Sequence, residues 1–239
     1  MRPDDVAYVI VDVYPDIGSE HFVNYAGAIA GCWVRDDTAR AKGGLASIVE
    51  EMIVAAGWKI ARTLSTERVS RASYDDDSED VRIGRARFEQ ALTDGFVVQF
   101  NTRRRELILP ASPEQGDDEE ILAVAAHEQF VQAVRSAGAV SLYSQPDGQW
   151  ANGVSPDGDE FFPIWIQEAS TRAWLHGWPD YEVVALDRDS AIDDMLTAIN
   201  EADMWAGIEV GRNVLMTTHP ILLRDLLKGP PRRGALGSQ

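Results

Sequence analysis

Pro146-Asp147-Gly148 and Pro156-Asp157-Gly158 lead into Phe161-Phe162-Pro163-Ile164-Trp165, and a short segment then ends in Trp174 and Trp178. Asp-Gly between extended segments is a strong hairpin cue, because glycine accepts the positive φ of a tight turn. The two turns therefore predict an antiparallel meander of three strands, near Val140–Ser144, Gln149–Val154 and Phe161–Ile166. Downstream, the pattern predicts a short helix over Ala169–His176, a strand over Tyr181–Leu186 and a helix over Ser190–Asn200. That helix turns Ile192, Met195, Leu196 and Ile199 inward. Trp205–Val210 and Asn213–Thr217 are predicted to pair, and Pro220 suits the first position of a closing helix carrying Leu222, Leu223, Leu226 and Leu227. Upstream, Leu122, Ala126, Phe130, Ala133 and Ala137 share a helical face that Gly138 ends.

Within this ordering, Leu142-Tyr143, Trp150-Ala151, Phe162-Pro163-Ile164-Trp165, Ala169 with Ala173-Trp174, Tyr181–Leu186 and the run from Leu215 to Leu227 form a recognisable set. Over residues 120–228 it resembles the bacterial family called domain of unknown function 2750, and more loosely the enhanced-serine-sensitivity type of bacterial domain. The resemblance implies a fold for the C-terminal half and carries no activity or catalytic set. Residues 1–113 carry no such resemblance. Small acidic α+β modules recur among immunity proteins that neutralise bacterial toxins, which is an analogy of fold and not of residues.

The N-terminal half alternates strand and helix signals. Ala7–Tyr14 is rich in β-branched residues and stops at Pro15, and Ala26–Val34 is a second apolar run. Leu45, Ile48, Val49, Met52 and Ile53 recur at helical spacing, and Gly57 is placed to end that helix. Trp58–Leu64 resumes strand character, which predicts a strand–helix–strand crossover. A polar loop through Asp75–Asp80, a helix over Ile83–Thr93 and a strand over Phe96–Phe100 complete the half. The expected fold class is α+β, with two α/β sandwich domains. The N-terminal one is ferredoxin-like, with four strands and two helices on one face; the C-terminal one is an antiparallel meander plus helices. Leu109–Gly116 is the expected linker, with the boundary near residue 113, between domains 1–108 and 117–228; the tail 229–239 is expected to be disordered.

Composition bounds the possible roles. Of 239 residues, 45% are hydrophobic and 26% charged, the profile of a soluble globular chain. No apolar run approaches the roughly 20 residues that cross a bilayer. The first residues lack the apolar core of a signal peptide, so a cytoplasmic location is expected. The single cysteine, Cys32, lies in an apolar run and reads as a core residue; it rules out an intramolecular disulfide. The net charge of −17 divides into −4 over residues 1–108 and −13 over residues 109–239. Such a field repels nucleic acid and anionic membranes, and either favours a basic partner or serves solubility.

Catalytic signatures are sparse. The four histidines show no metal-ligand spacing, and no phosphate-binding or nucleophile motif is present. Neither a metal nor a cofactor is expected, and no catalytic residue is assigned. Asp75–Asp80 lacks the alternation, glycine and distal glutamate of a calcium loop. Arg103-Arg104-Arg105 is the one basic cluster, suited to a phosphate, an acidic partner or the neutralisation of nearby acids. The aromatics remain. Strand alternation sets Phe161, Pro163 and Trp165 on one face and Phe162, Ile164 and Ile166 on the other. If the second set is core, Trp150 and Trp165 lie at the surface or under the linker; core packing, including packing between domains, is the default expectation for the aromatics, and a recognition surface is the functional alternative.

The candidate binding residues are therefore Trp150, Trp165, Trp174, His176 and Trp178. The leading expectation is a non-enzymatic protein-binding module, such as an immunity protein or toxin inhibitor meeting a basic toxin. The alternative is a ligand sensor or enzyme with an inter-domain pocket built from His176, Asp180 and Arg172. A homodimer formed through an open sheet edge is a third possibility.

Overall fold

The computed structural model describes residues 5–76, 78–108, 123–145, 148–166, 174, 180–210 and 214–229. It is an α+β structure whose strand pairs are mostly antiparallel, and the chain divides into two compact units, Met1–Arg104 and Arg105–Gln239.

In the first unit, β1 (Val6–Pro15), β2 (Tyr25–Arg35), β3 (Trp58–Val69) and β4 (Phe96–Arg104) form one sheet in the order β3-β1-β2-β4. Every neighbouring pair is antiparallel. Consecutive β1 and β2 occupy the centre, which departs from the β-α-β-β-α-β order of a ferredoxin-like sandwich. β2 and β3 both run against β1 and so run in the same direction, with the helical Asp36–Ala41 and Leu45–Ala55 segments crossing between them. Gly43 and Gly44 separate those helices at φ values of 86° and 117°, which only glycine adopts without strain.

Alternation on the strands assigns the helices to faces. Val9, Val11, Val13, Ala28, Ala30, Cys32 and Val34 pack with Ile48, Val49, Met52 and Ile53 of the Leu45–Ala55 helix. Val6, Trp33, Val69 and Val97 pack instead with Phe88 and Ala91 of the Glu79–Asp94 helix. Odd residues of β1 serve the first cluster and an even one the second, so the two helices cover opposite faces. This corrects the expectation of both helices on one face. β1 and β2 are central strands with apolar residues on both sides, and each side needs a cover. The second cluster is fixed by Trp33, whose ring stacks on Tyr8 at 4.4 Å and whose Nε1 donates to the Tyr74 hydroxyl at 2.8 Å.

In the second unit, β5 (Leu107–Ile108), β7 (Gly153–Val154), β8 (Glu160–Ile164), β10 (Trp205–Glu209) and β11 (Leu215–Thr218) form a sheet in the order β5-β11-β10-β8-β7. β6 (Ala139–Ser144) pairs with β9 (Glu182–Asp187) as a separate ribbon. The expected meander is therefore only partly formed. β7 and β8 make the second hairpin, while β6 touches that region through the isolated bridges Ser141–Trp165 and Ser144–Trp150. β8 and β10 are parallel, so the sheet is mixed and not a pure antiparallel meander. β5 carries residues 107 and 108, assigned by sequence to the first domain, into this sheet by pairing with β11. Among the described residues the helices are Ala123–Ala137, Pro220–Lys228 and a run over 188–201 whose Ala191–Met195 turn is π-helical. The linker at 109–116, the Ala169–His176 helix apart from Trp174, and the tail beyond Gly229 lie outside the described residues.

Candidate functional site

The two Asp-Gly turns place the candidate aromatics. At the first, Gly148 takes φ 85°, Gly148 N–H donates to Gln145 O at 2.9 Å, and Gln145 N–H donates to Gln149 O at 2.7 Å. The Ser144–Trp150 bridge follows, and Ala151 N–H donates to Tyr143 O at 3.0 Å. At the second, Gly158 takes φ 92° and its N–H donates to Ser155 O at 3.0 Å. Ser155 N–H donates to Asp159 O, and Asp159 N–H donates back to the Ser155 hydroxyl. The second turn forms as Asp-Gly chemistry dictates and joins β7 to β8, and the Trp150 ring lies against Phe162 of β8.

Just after the second turn, Phe161 of β8 lies over two glycines. A Cβ on Gly153 would stand 2.6 Å from the Phe161 ring, and one on Gly207 would stand 2.7 Å from it. Gly153 is the β7 partner of Phe161, and Gly207 is on the parallel neighbour β10. The ring occupies the room that two side chains would otherwise fill, which is the use of glycine inside a strand.

Trp165 is fully buried, as the core reading of the aromatics has it, and so does not offer a binding surface. Phe161, Phe162 and Ile164 are buried as well, so both faces of β8 are covered and alternation does not separate core from surface there. The Trp165 ring tilts against Tyr143 at 4.9 Å and Trp174 at 6.3 Å, while its backbone exchanges hydrogen bonds with Ser141. Trp174 is likewise buried. Trp150 alone of the described candidates reaches solvent. It is 38% exposed and tilts against Phe162 with ring centroids 5.3 Å apart. Val154, on β7, is 64% exposed. Exposed Asp157 and Glu160 and half-buried Asp159 complete that hairpin's rim. His176, Trp178 and Arg172 lie outside the described residues, and Asp180 is exposed.

Several polar groups carry no sequence motif yet sit inside the second unit. His127 is fully buried, with Nε2 2.8 Å from the Thr218 hydroxyl. His219 is buried edge-on to Trp205, and its Nδ1 accepts the Ile221 N–H at 3.1 Å, capping the Pro220–Lys228 helix. An imidazole that accepts there is neutral at that nitrogen. Pro220 signals this helix start in the sequence; histidine as the cap does not. The carboxyl of Glu106 has one oxygen shut off from solvent. Burial raises it above the usual carboxylate range, Asp157 adds to the rise, and Ser155 partly opposes it.

The remaining candidates separate. Arg103-Arg104-Arg105 is not one cluster. Arg103 and Arg104 end β4, whereas Arg105 turns into the second unit and donates from Nη1 to Thr217 O at 3.2 Å. Of the acidic run, Glu79 and Asp80 form the first turn of a helix, where they suit its dipole. Cys32 is fully buried, and burial pushes its thiol up to about 12, far from a reactive thiolate. Among the described residues, no three histidine, cysteine or carboxylate side chains gather to hold a metal ion. Nor is any helix among them long and apolar enough to cross a membrane. Comparison with protein-family models, curated proteins and solved structures finds no match for this chain.

Proposed function

We propose that this is a non-enzymatic protein-binding module whose second unit engages a basic protein surface through the rim at β7. One observation carries the reading: Trp150 and Val154 are exposed beside the β7–β8 hairpin, with Asp157, Asp159 and Glu160 around them. An exposed tryptophan seated on Phe162 presents a large, rigid apolar face, the residue type most enriched at binding hot spots. The acidic rim, in a half of net charge −13, favours a cationic partner and speeds encounter with it.

An immunity protein or toxin inhibitor, acting in the cytoplasm on a basic toxin, is the most concrete form of this role. The likeness of residues 120–228 to domain of unknown function 2750 belongs to the same reading and supplies no activity of its own. The test is capture of a protein from the native host by the full chain, followed by identification of the gene next to its own. A basic toxin captured by the native chain, with affinity lowered about thirtyfold by Trp150→Ala, supports the role. No partner and no toxin gene nearby would remove it, and equal capture by both chains would take the β7 rim out of it.

A further inference from the structure

The outer edge of β4 ends the first unit's sheet. Arg35 donates its N–H to Gly95 O at 2.8 Å. In an antiparallel ladder, inward and outward backbone groups alternate. Residues 97, 99 and 101 therefore turn their backbone groups toward β2, and Phe96, Val98, Phe100 and Thr102 turn theirs toward the open edge. Among the described residues nothing pairs with that edge. Phe96 is 40% exposed, and Val98 and Phe100, on the same side of the strand, are half-buried.

The opposite edge of the sheet is protected. β3 has register irregularities against β1 at Ile10/Val11 and Asp12/Val13, and it carries Lys59, Arg62, Glu67 and Arg68. Irregularities and charges blunt an edge strand against pairing. β4 shows neither over Phe96–Thr102; its one irregularity against β2 lies at Tyr25/Gly27, and its charges are confined to Arg103 and Arg104.

We propose that two copies of the chain pair β4 against β4, antiparallel about a two-fold axis at Gln99, to make one continuous sheet across the dimer. This register sets Val98 against Phe100 of the second copy and Phe96 against its Thr102. It also brings Arg104 to the C-terminal end of the second copy's Glu79–Asp94 helix. That end has exposed Asp94 and no basic residue in its last turn, so it is complementary to the arginine. By the two-fold symmetry this contact forms twice. The sheet also lies in the half with the smaller charge: residues 1–104 carry a net −4, so self-association there meets little repulsion.

The test uses the purified full chain, so its outcome is independent of any partner at β7. Light scattering is expected to show a dimer. Facing residues of a non-hydrogen-bonded pair are about 4.5 Å apart at Cα, within disulfide reach. Gln99→Cys should therefore oxidise to a covalent dimer on a non-reducing gel, while Leu64→Cys on β3 should not. Cys32, the only native cysteine, is fully buried and leaves the background clean. Arg104→Glu should raise the dimer dissociation constant roughly tenfold, and adding Asp94→Arg should restore it. A monomeric native chain overturns the proposal. So does a dimer that Gln99→Cys fails to lock, or, should that variant not fold, one that Arg104→Glu leaves unchanged.

Discussion

Glu106 shows how one side chain sets a pH dependence without a catalytic role. Its folded carboxyl is raised, first by burial and then by Asp157. The folded state therefore binds more protons than the unfolded state between the ordinary carboxylate pKa, about 4.3, and the raised value. The contribution of Glu106 to stability is most favourable below that window and falls as pH rises through it. Glu106→Gln removes the charge but keeps a polar group of the same shape. The variant should be more stable than the native chain at pH 8 and no more stable at pH 4, as read by urea midpoints at the two values. A native advantage at pH 8 would show that the ionised form is the favoured one. Gly207 makes the opposite point, since steric fit alone governs it. With Phe161 2.7 Å from any added Cβ, Gly207→Ala overpacks the site and should cost about 1–3 kcal/mol in chemical denaturation. An unchanged midpoint would mean that the ring moves aside freely.

At the scale of elements, the sheet between two helices predicts independent cores. The cluster holding Ile53 and the one holding Phe88 share no residue and lie on opposite faces. Ile53→Val should cost about 1 kcal/mol and Phe88→Leu about 1–2 kcal/mol. The double variant should then equal the sum within about 0.5 kcal/mol, because the sites share no partner. Coupling well beyond that would place both helices against one core. Local chemistry made the elements themselves readable. β1 stops at Pro15, Gly57 ends a helix at φ 82°, and Pro220 opens one. The pairing was not readable, because a strand's composition does not name its neighbour. Hence β3 runs on to Val69 through exposed polar residues held by β1, and β8 takes β10 as a parallel partner. The candidate site divided for the same reason. Trp150 and Trp165 look alike in sequence, and only the covering of both faces of β8 buries one and leaves the other partly exposed.

For the whole molecule, the decisive strand is one of the two shortest. β5 holds only Leu107 and Ile108, yet it closes the β11 side of the second unit's sheet. Glu106 N–H donates to the Thr217 hydroxyl at 2.9 Å, Thr217 N–H donates to Glu106 O at 3.0 Å, and Ile108 is buried. A cut after Arg104 leaves both sheets entire. A cut after Ile108 strips the second sheet of its edge and adds a loose segment to the first unit. Hydrogen bonds contribute about 1 kcal/mol each and a buried isoleucine about 2 kcal/mol. The fragment 105–239 should therefore exceed 109–239 in stability by about 3–4 kcal/mol, a difference that urea denaturation followed by tryptophan fluorescence would resolve. Fragments 1–104 and 1–108, by contrast, should unfold at the same midpoint, since the first sheet uses nothing beyond Arg104. Equal stability of 105–239 and 109–239 would place the boundary after Ile108 and reduce β5 to an incidental contact.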